Sequence, residues 1–251
     1  MGRPDLNLAD AGVAGATLLP DAAALDALYG GLPTAALLDI AIHTLFPGRI
    51  ALVSSFGTEA AVMLHLVAQV DRHTPILFVD TDKLFGETLR YRDRLVARLG
   101  LTDVRTLTPD PARLVAADPD GILWAGNPDL CCKIRKVEPL AVGIDGFDAW
   151  ISGRKRFQAA TRATIPVFET EAARVKVNPL AAWMPADLAA YAAAHDLPPH
   201  PLVEQGYRSV GCMPCTSRVA EGEDDRAGRW RGTEKIECGI HFGLEADGSG
   251  I

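Results

Sequence analysis

The chain has 251 residues and a formal net charge of −7, with 48% hydrophobic and 23% charged residues. Such a chain buries a sizeable core in one α/β domain or at most two small ones, and collagen-like or wholly disordered readings are excluded. Its acidity argues against a general nucleic-acid binder but leaves room for a local basic site that holds a small anion.

Residues 1–20, MGRPDLNLADAGVAGATLLP, lack a basic start followed by a compact apolar run. They read as a flexible leader and not as a signal peptide. No stretch approaches the roughly 18 apolar residues of a membrane span. A soluble, cytoplasmic protein without a membrane partner is expected.

Residues 22–46 carry apolar residues at helical spacing. Arg49-Ile50-Ala51-Leu52-Val53 then reads as a buried strand, short, apolar and partly β-branched. It runs through Ser54-Ser55-Phe56-Gly57-Thr58-Glu59 into a helical stretch from Ala60 to Gln69. Ile76-Leu77-Phe78-Val79 is a second strand, and Leu84 to Leu99 an amphipathic helix with Leu84, Thr88, Tyr91, Leu95 and Leu99 on one side. Further strands are expected at 103–107, 149–152 and 174–177, and a helix at Pro185 to His195. The alternation predicts an α/β fold with a doubly wound, mostly parallel sheet covered on both faces. This domain is placed at 21–220. From Glu221 the sequence turns charged and glycine-containing, so 221–251 reads as a mobile tail that buries little apolar surface.

Five cysteines fit no simple disulfide framework: Cys131 and Cys132 are adjacent, Cys212 and Cys215 form a Cys-x-x-Cys, and Cys238 stands alone. Asp129 to Lys136 looks like the start of a helix, where neighbouring side chains diverge by about 100°. Two such thiolates would crowd a single tetrahedral ion, whereas a larger cluster spreads its corners. Four thiolates in these two pairs favour a [4Fe–4S] cluster. A zinc half-site, a redox dithiol and incidental burial are the alternatives. Lys136, four residues after Cys132, would share its helical face and balance thiolate charge.

Ser54, Ser55, Phe56 and Gly57 occupy a strand-to-helix turn, which offers backbone N–H groups to phosphate or sulfate. Two arginine groups strengthen an anion site. Gly153-Arg154-Lys155-Arg156-Phe157-Gln158 follows a strand end, and Arg226 and Arg229 lie in the tail. For single arginines, Arg154 and Arg231 above all, a solvated surface position is the blander expectation. Cys238 has no ligand-spaced partner, and nearby Arg226, Arg229 and His241 would favour its reactive thiolate.

These motifs resemble the assimilatory adenylyl-sulfate and phosphoadenylyl-sulfate reductase family. The resemblance rests on Ser54 to Glu59, Leu84-Phe85-Gly86-Glu87-Thr88, Cys131-Cys132-x-x-x-Lys136, Gly153 to Gln158, Cys212-x-x-Cys215, Arg226-x-x-Arg229-Trp230 and Glu237-Cys238-Gly239-Ile240-His241. It implies a fold related to adenine-nucleotide alpha-hydrolases, with Cys238 as the nucleophile and thioredoxin or a similar dithiol protein as reductant. The substrate would be adenosine 5′-phosphosulfate, because members using it carry both cysteine pairs and a [4Fe–4S] cluster; a phosphoadenylyl-sulfate or dual-specificity reductase is the alternative, since some cluster-containing members accept both. Asp80-Thr81-Asp82 departs from a frequent Asp-Thr-Gly, and Lys155 stands where arginine is common, so the anion role passes mainly to Arg156. The Ser-Gly-Gly pattern of related ATP pyrophosphatases is missing. The sequence leaves open whether the chain forms a homo-oligomer.

Overall fold

The structure is a computed structural model that describes residues 20–233, 235 and 237–241, the last by its backbone only. The expected leader, apart from its final residue, lies outside the described residues. In chain order the elements are α1 (Ala22–Tyr29), α2 (Thr34–Ile40), β1 (Ile50–Val53), α3 (Ala60–Asp71), β2 (Ile76–Val79), α4 (Gly86–Leu99) and β3 (Val104–Leu107). There follow α5 (Pro111–Ala117), α6 (Leu123–Gly126), α7 (Pro128–Cys132), α8 (Glu138–Gly143), β4 (Ala149–Ile151), β5 (Phe168–Glu171), β6 (Arg174–Val177) and α9 (Pro185–Ala194). Among the described residues no helix is long and apolar enough to cross a membrane.

The six strands form one sheet in the order β3-β2-β1-β4-β6-β5. All neighbours run parallel except β5 and β6. Side chains alternate across each strand. Ile50, Leu52, Ile76, Phe78 and Ile151 therefore join the larger core with α3, while Ala51, Leu77 and Trp150 pack on Leu140, Ile144 and Phe147. The chain winds outward from β1 to β3, then returns to place β4 on the other side of β1. That reversal leaves a crevice at the carboxyl ends of β1 and β4, where ligands of open α/β sheets bind.

Strand β5 is the strand that the sequence does not announce, as the short helices α5 and α6 are among the helices. Its Phe-Glu-Thr-Glu run buries only Phe168 and Glu171, as suits an edge strand. Around the cysteine pair, Asn127 caps α7 by accepting from the Leu130 amide at 3.0 Å. The helix then passes through a π turn, Lys133–Val137, into α8. Such turns re-aim side chains within a continuous helix.

His200 is fully buried, with its Nε2 3.1 Å from Thr88 Oγ1 and its Nδ1 accepting from the Leu202 amide at 3.2 Å. Burial lowers its pKa to about 4. The neutral ring is thus preferred on folding, so its contribution is complete above the unfolded value near 6.5 and is lost as pH falls through 4. The wild type should lose roughly 2–4 kcal/mol of stability across that window, by the linkage of about 1.4 kcal/mol per pKa unit. Denaturant titrations at pH 7 and pH 4 measure this, and His200→Gln should flatten the difference. An equally steep loss in His200→Gln would assign the acid sensitivity elsewhere.

Candidate active site

The crevice has two adjoining lobes that share Val53, Ser54, Ser55, Val210 and Ile240. The first, about 890 Å³ including its open mouth, runs from Met63 on α3 past Trp150 and Ser152 to Arg154, Lys155, Gln158 and Arg162. The second is lined by Thr81, Lys136, Gly211, Cys212, Arg229, Trp230 and Cys238. An adenosine-sized group and a reactive anion could therefore lie end to end.

The turn after β1 places its residues unequally. Ser54 is buried and its Oγ accepts from the Phe56 amide at 3.2 Å, while Ser55 is exposed and Gly57 lines the first lobe. Phe56, expected as a binding residue, instead drives its ring into the core, edge-on to Phe78 at 5.3 Å, with its backbone at φ 48°. The first turn of α3 carries no side-chain cap, so its amides are not claimed by a capping side chain.

The cations beyond β4 also differ from expectation. Arg156 is exposed, and its Nε donates to the Ile165 carbonyl at 3.0 Å rather than lining the crevice. Arg154 and Lys155, the two residues before it, are buried on the first lobe. Arg154 pairs with Glu169, and Lys155 reaches Glu59 at 2.6 Å. Arg162 shares this wall and donates to Gln158 Oε1 at 2.5 Å. Sequence reasoning missed Arg162, which has no motif beyond its position after a strand.

The tail is docked on the Cys212–Cys215 turn at Gly228 and Trp230. Gly228 accepts from the Ser217 amide at 2.8 Å, and the Trp230 amide donates to the Cys215 carbonyl at 3.0 Å. A Cβ at Gly228 would stand 2.1 Å from the Ser217 oxygen, so only glycine allows this approach. Trp230 is 4% exposed. Against an expectation of little buried apolar surface in the tail, Trp230 is buried beside the close approach that Gly228 permits, while the charged start stays largely exposed.

All five thiols converge where the tail meets α7 and the Cys212–Cys215 turn. Cys131, Cys132 and Cys212 are buried, and Cys215 is half-buried. Cys131, Cys212 and Cys215 interact electrostatically, and burial raises the pKa of Cys131 and of Cys215. Thr81 Oγ1 lies 3.2 Å from Cys212 Sγ. Among the described residues no three His, Cys, Asp or Glu side chains converge tightly enough for a single metal ion.

Cys238 is half-buried and accepts a hydrogen bond from the Cys132 thiol. That bond, helped by Lys136, the Ile240 amide and Arg229 and opposed by burial, holds Cys238 well below the ordinary thiol range. Burial opposes the charge of Lys136, but the sulfurs of Cys238, Cys212 and Cys132 raise its pKa above the ordinary lysine value. Arg229 donates to the Val210 carbonyl at 3.3 Å and lies over the Trp230 ring at 4.5 Å. Its Nε is buried without a hydrogen-bond partner among the described residues. Arg226 reaches Glu237 at 3.5 Å, beside the second lobe. The His241 side chain lies outside the described residues, although its backbone closes a short 3-10 turn from Gly239.

A family model described as a phosphoadenosine phosphosulfate reductase domain matches residues 49–218, from β1 through the Cys212–Cys215 turn. The chain belongs to this family. A relative from Mesorhizobium japonicum named adenosine 5′-phosphosulfate reductase is 54% identical over 225 residues, 89% of each chain. One of the same name from Mycobacterium tuberculosis is 44% identical over 186 residues, 72% of each chain. Among solved structures, the phosphoadenylyl-sulfate reductase of Candida auris, a phosphate complex, superposes with a TM-score of 0.67 at 27% identity. It covers 79% of this chain and 96% of that one. An FMN adenylyltransferase from Candida glabrata, with a TM-score of 0.52 at 15% identity over 86% of this chain and 82% of that one, shares the fold alone. The family model stops short of Cys238, so in this reductase-family chain the tail cysteine is placed by the structure and not by the matched domain.

Proposed function

We propose that the chain is an adenosine 5′-phosphosulfate reductase that forms an enzyme S-sulfocysteine on Cys238. The carrying observation is that Cys238 lines the same lobe as Lys136 and Arg229, two cations that favour its thiolate whether or not Cys132 keeps its proton. The names of relatives 44–54% identical support the choice of substrate. The Cys238 thiolate would attack the sulfur of the sulfate–phosphate anhydride, forming an S–S bond as the S–O bond to phosphate breaks. AMP departs with that electron pair. Lys136 and Arg229, with Arg226 beside them, would stabilise the phosphate charge that develops. A dithiol protein such as thioredoxin then attacks Cys238 Sγ through one thiolate and releases sulfite. Its second thiol resolves the mixed disulfide, returning Cys238 and leaving the partner oxidised.

Cys131, Cys132, Cys212 and Cys215 would hold a [4Fe–4S] cluster. Their donor set suits it: four sulfurs on two facing elements, with the cations Lys136, Arg135 and Arg229 beside them. When bound, the cluster would tie α7 to the Cys212–Cys215 turn and supply negative charge opposite these cations.

The test is sulfite release from adenosine 5′-phosphosulfate and from its 3′-phosphorylated form, with reduced thioredoxin, using anaerobically purified protein. The unphosphorylated substrate should turn over faster, and iron should accompany acid-labile sulfide. Sulfite from the 3′-phosphorylated form alone would overturn the substrate assignment. Stoichiometric zinc without iron would overturn the cluster.

A further inference from the structure

We propose that Glu237 is a positioning residue, whose carboxylate latches the nucleophile's segment onto the nucleotide lobe. This deepens the S-sulfocysteine reading and rests on it. Glu237 immediately precedes Cys238 and is 3% exposed. Arg162 grips it in a fork, Nε to Oε1 at 2.6 Å and Nη2 to Oε2 at 2.7 Å. Arg226 reaches Oε2 at 3.5 Å, Thr161 Oγ1 lies 3.4 Å from Oε1, and the Cys238 backbone amide donates to the same carboxylate. One carboxylate thus joins the wall that follows β4 to the backbone of the reacting cysteine.

Arg162 is not a spectator of the crevice. Arg162 lines the first lobe, and its Nη1 donates to Gln158, which in turn donates to Glu59 at 2.6 Å beside the start of α3. Glu237 therefore neutralises, from inside the protein, a guanidinium that faces the space for an anionic ligand. A buried carboxylate requires such partners, and removing one side leaves an uncompensated charge. Two consequences follow for a carboxylate in this place. It holds Cys238 Sγ at the second lobe, and it competes with a bound anion for Arg162.

Glu237→Gln keeps the shape and removes the charge, so the two consequences separate in kinetics. Formation of the S-sulfo adduct in a single turnover should slow by about tenfold or more, the size expected for losing a charge-assisted hydrogen bond. Substrate affinity should stay constant or tighten, because Arg162 loses its internal counter-ion. In the substrate-free protein, iodoacetamide should alkylate Cys238 faster than in the wild type, with iron content unchanged. A residue that merely stabilised the fold would weaken affinity and adduct formation together. Glu237→Asp, which keeps the charge but withdraws it by one methylene, should shift the same quantities less and serves if the glutamine variant fails to fold. Wild-type rates of both alkylation and adduct formation in the variants would overturn the latch. If the wild type itself gains no SO₃ mass, the S-sulfocysteine reading falls, and the alkylation rates still decide the latch.

Discussion

Cys238→Ser is expected to abolish sulfite release while leaving the fold and the iron content intact. The sulfur lies at the wall of the second lobe beside Lys136 and has no place in either apolar cluster. Serine preserves the volume closely enough for the Glu237 and Ile240 contacts to persist. Its hydroxyl is far less ionised than this thiol, and a sulfated serine has no S–S bond for a dithiol to attack. The wild type, mixed with substrate and no dithiol, should gain one SO₃ group on the peptide containing Cys238. Reduced thioredoxin should remove that mass and liberate sulfite. Near-normal turnover by Cys238→Ser, or an adduct on another cysteine, would refute the mechanism.

The second large effect is on stability. Asp118, whose side chain is 2% exposed, lies just beyond α5 and pairs with the 5%-exposed Arg135 at 2.7 Å. Asp118 Oδ1 also caps the Leu123 amide at 2.8 Å, while Arg135 Nη1 donates to the Thr81 carbonyl at 2.9 Å. This ion pair braces the segment after β2 against the helix that carries the cysteine pair. Asp118→Ala removes the close, buried counter-ion and leaves the guanidinium only the exposed Asp82 carboxylate at 3.8 Å, a loss of about 3–5 kcal/mol. For a chain of this size that lowers Tm by roughly 6–20 °C, taking about 2–4 °C per kcal/mol. Thermal unfolding of the two proteins under identical conditions measures it. Adding Arg135→Met should recover part of the loss, because the stranded charge is then gone. A Tm within a degree or two of wild type would show that water or another carboxylate already compensates Arg135.

The parts of this architecture that sequence makes visible are those with a strong local signal. β1, β2 and β4 are apolar runs because both faces of a central parallel strand are covered, and α4 shows one apolar face because only one is. β5 escapes notice because an edge strand buries little and reads as polar. The cysteine pairs are legible by identity, and Cys238 by its isolation. Cation positions are not. Arg154, Lys155 and Arg156 are adjacent in sequence, yet the first two turn inward and the third binds the Ile165 carbonyl in an exposed position. Which side of a turn faces a cleft depends on backbone angles that composition does not specify. Phe56 was legible as part of a turn but not as a core residue, since a positive φ reverses where its ring points. Glu237 is legible as part of the motif around Cys238 but not as a latch, for a single acidic residue looks alike whether solvated or gripped by two arginines.

Ile240 forms part of both lobes, so the tail supplies a wall of the cavity that its own cysteine serves. The cavity is complete only when the tail is seated. Any molecule that touches Ile240 in the seated arrangement must favour that arrangement by the same factor by which seating favours the molecule, since the linkage is reciprocal. Occupancy of the crevice and docking of the tail are therefore one equilibrium observed from two ends. In the proposed reaction AMP would take its share of that coupling with it as it departs. Under the proposed mechanism, an S-sulfonated Cys238 would then be held by fewer contacts at the moment when a dithiol protein needs to reach it.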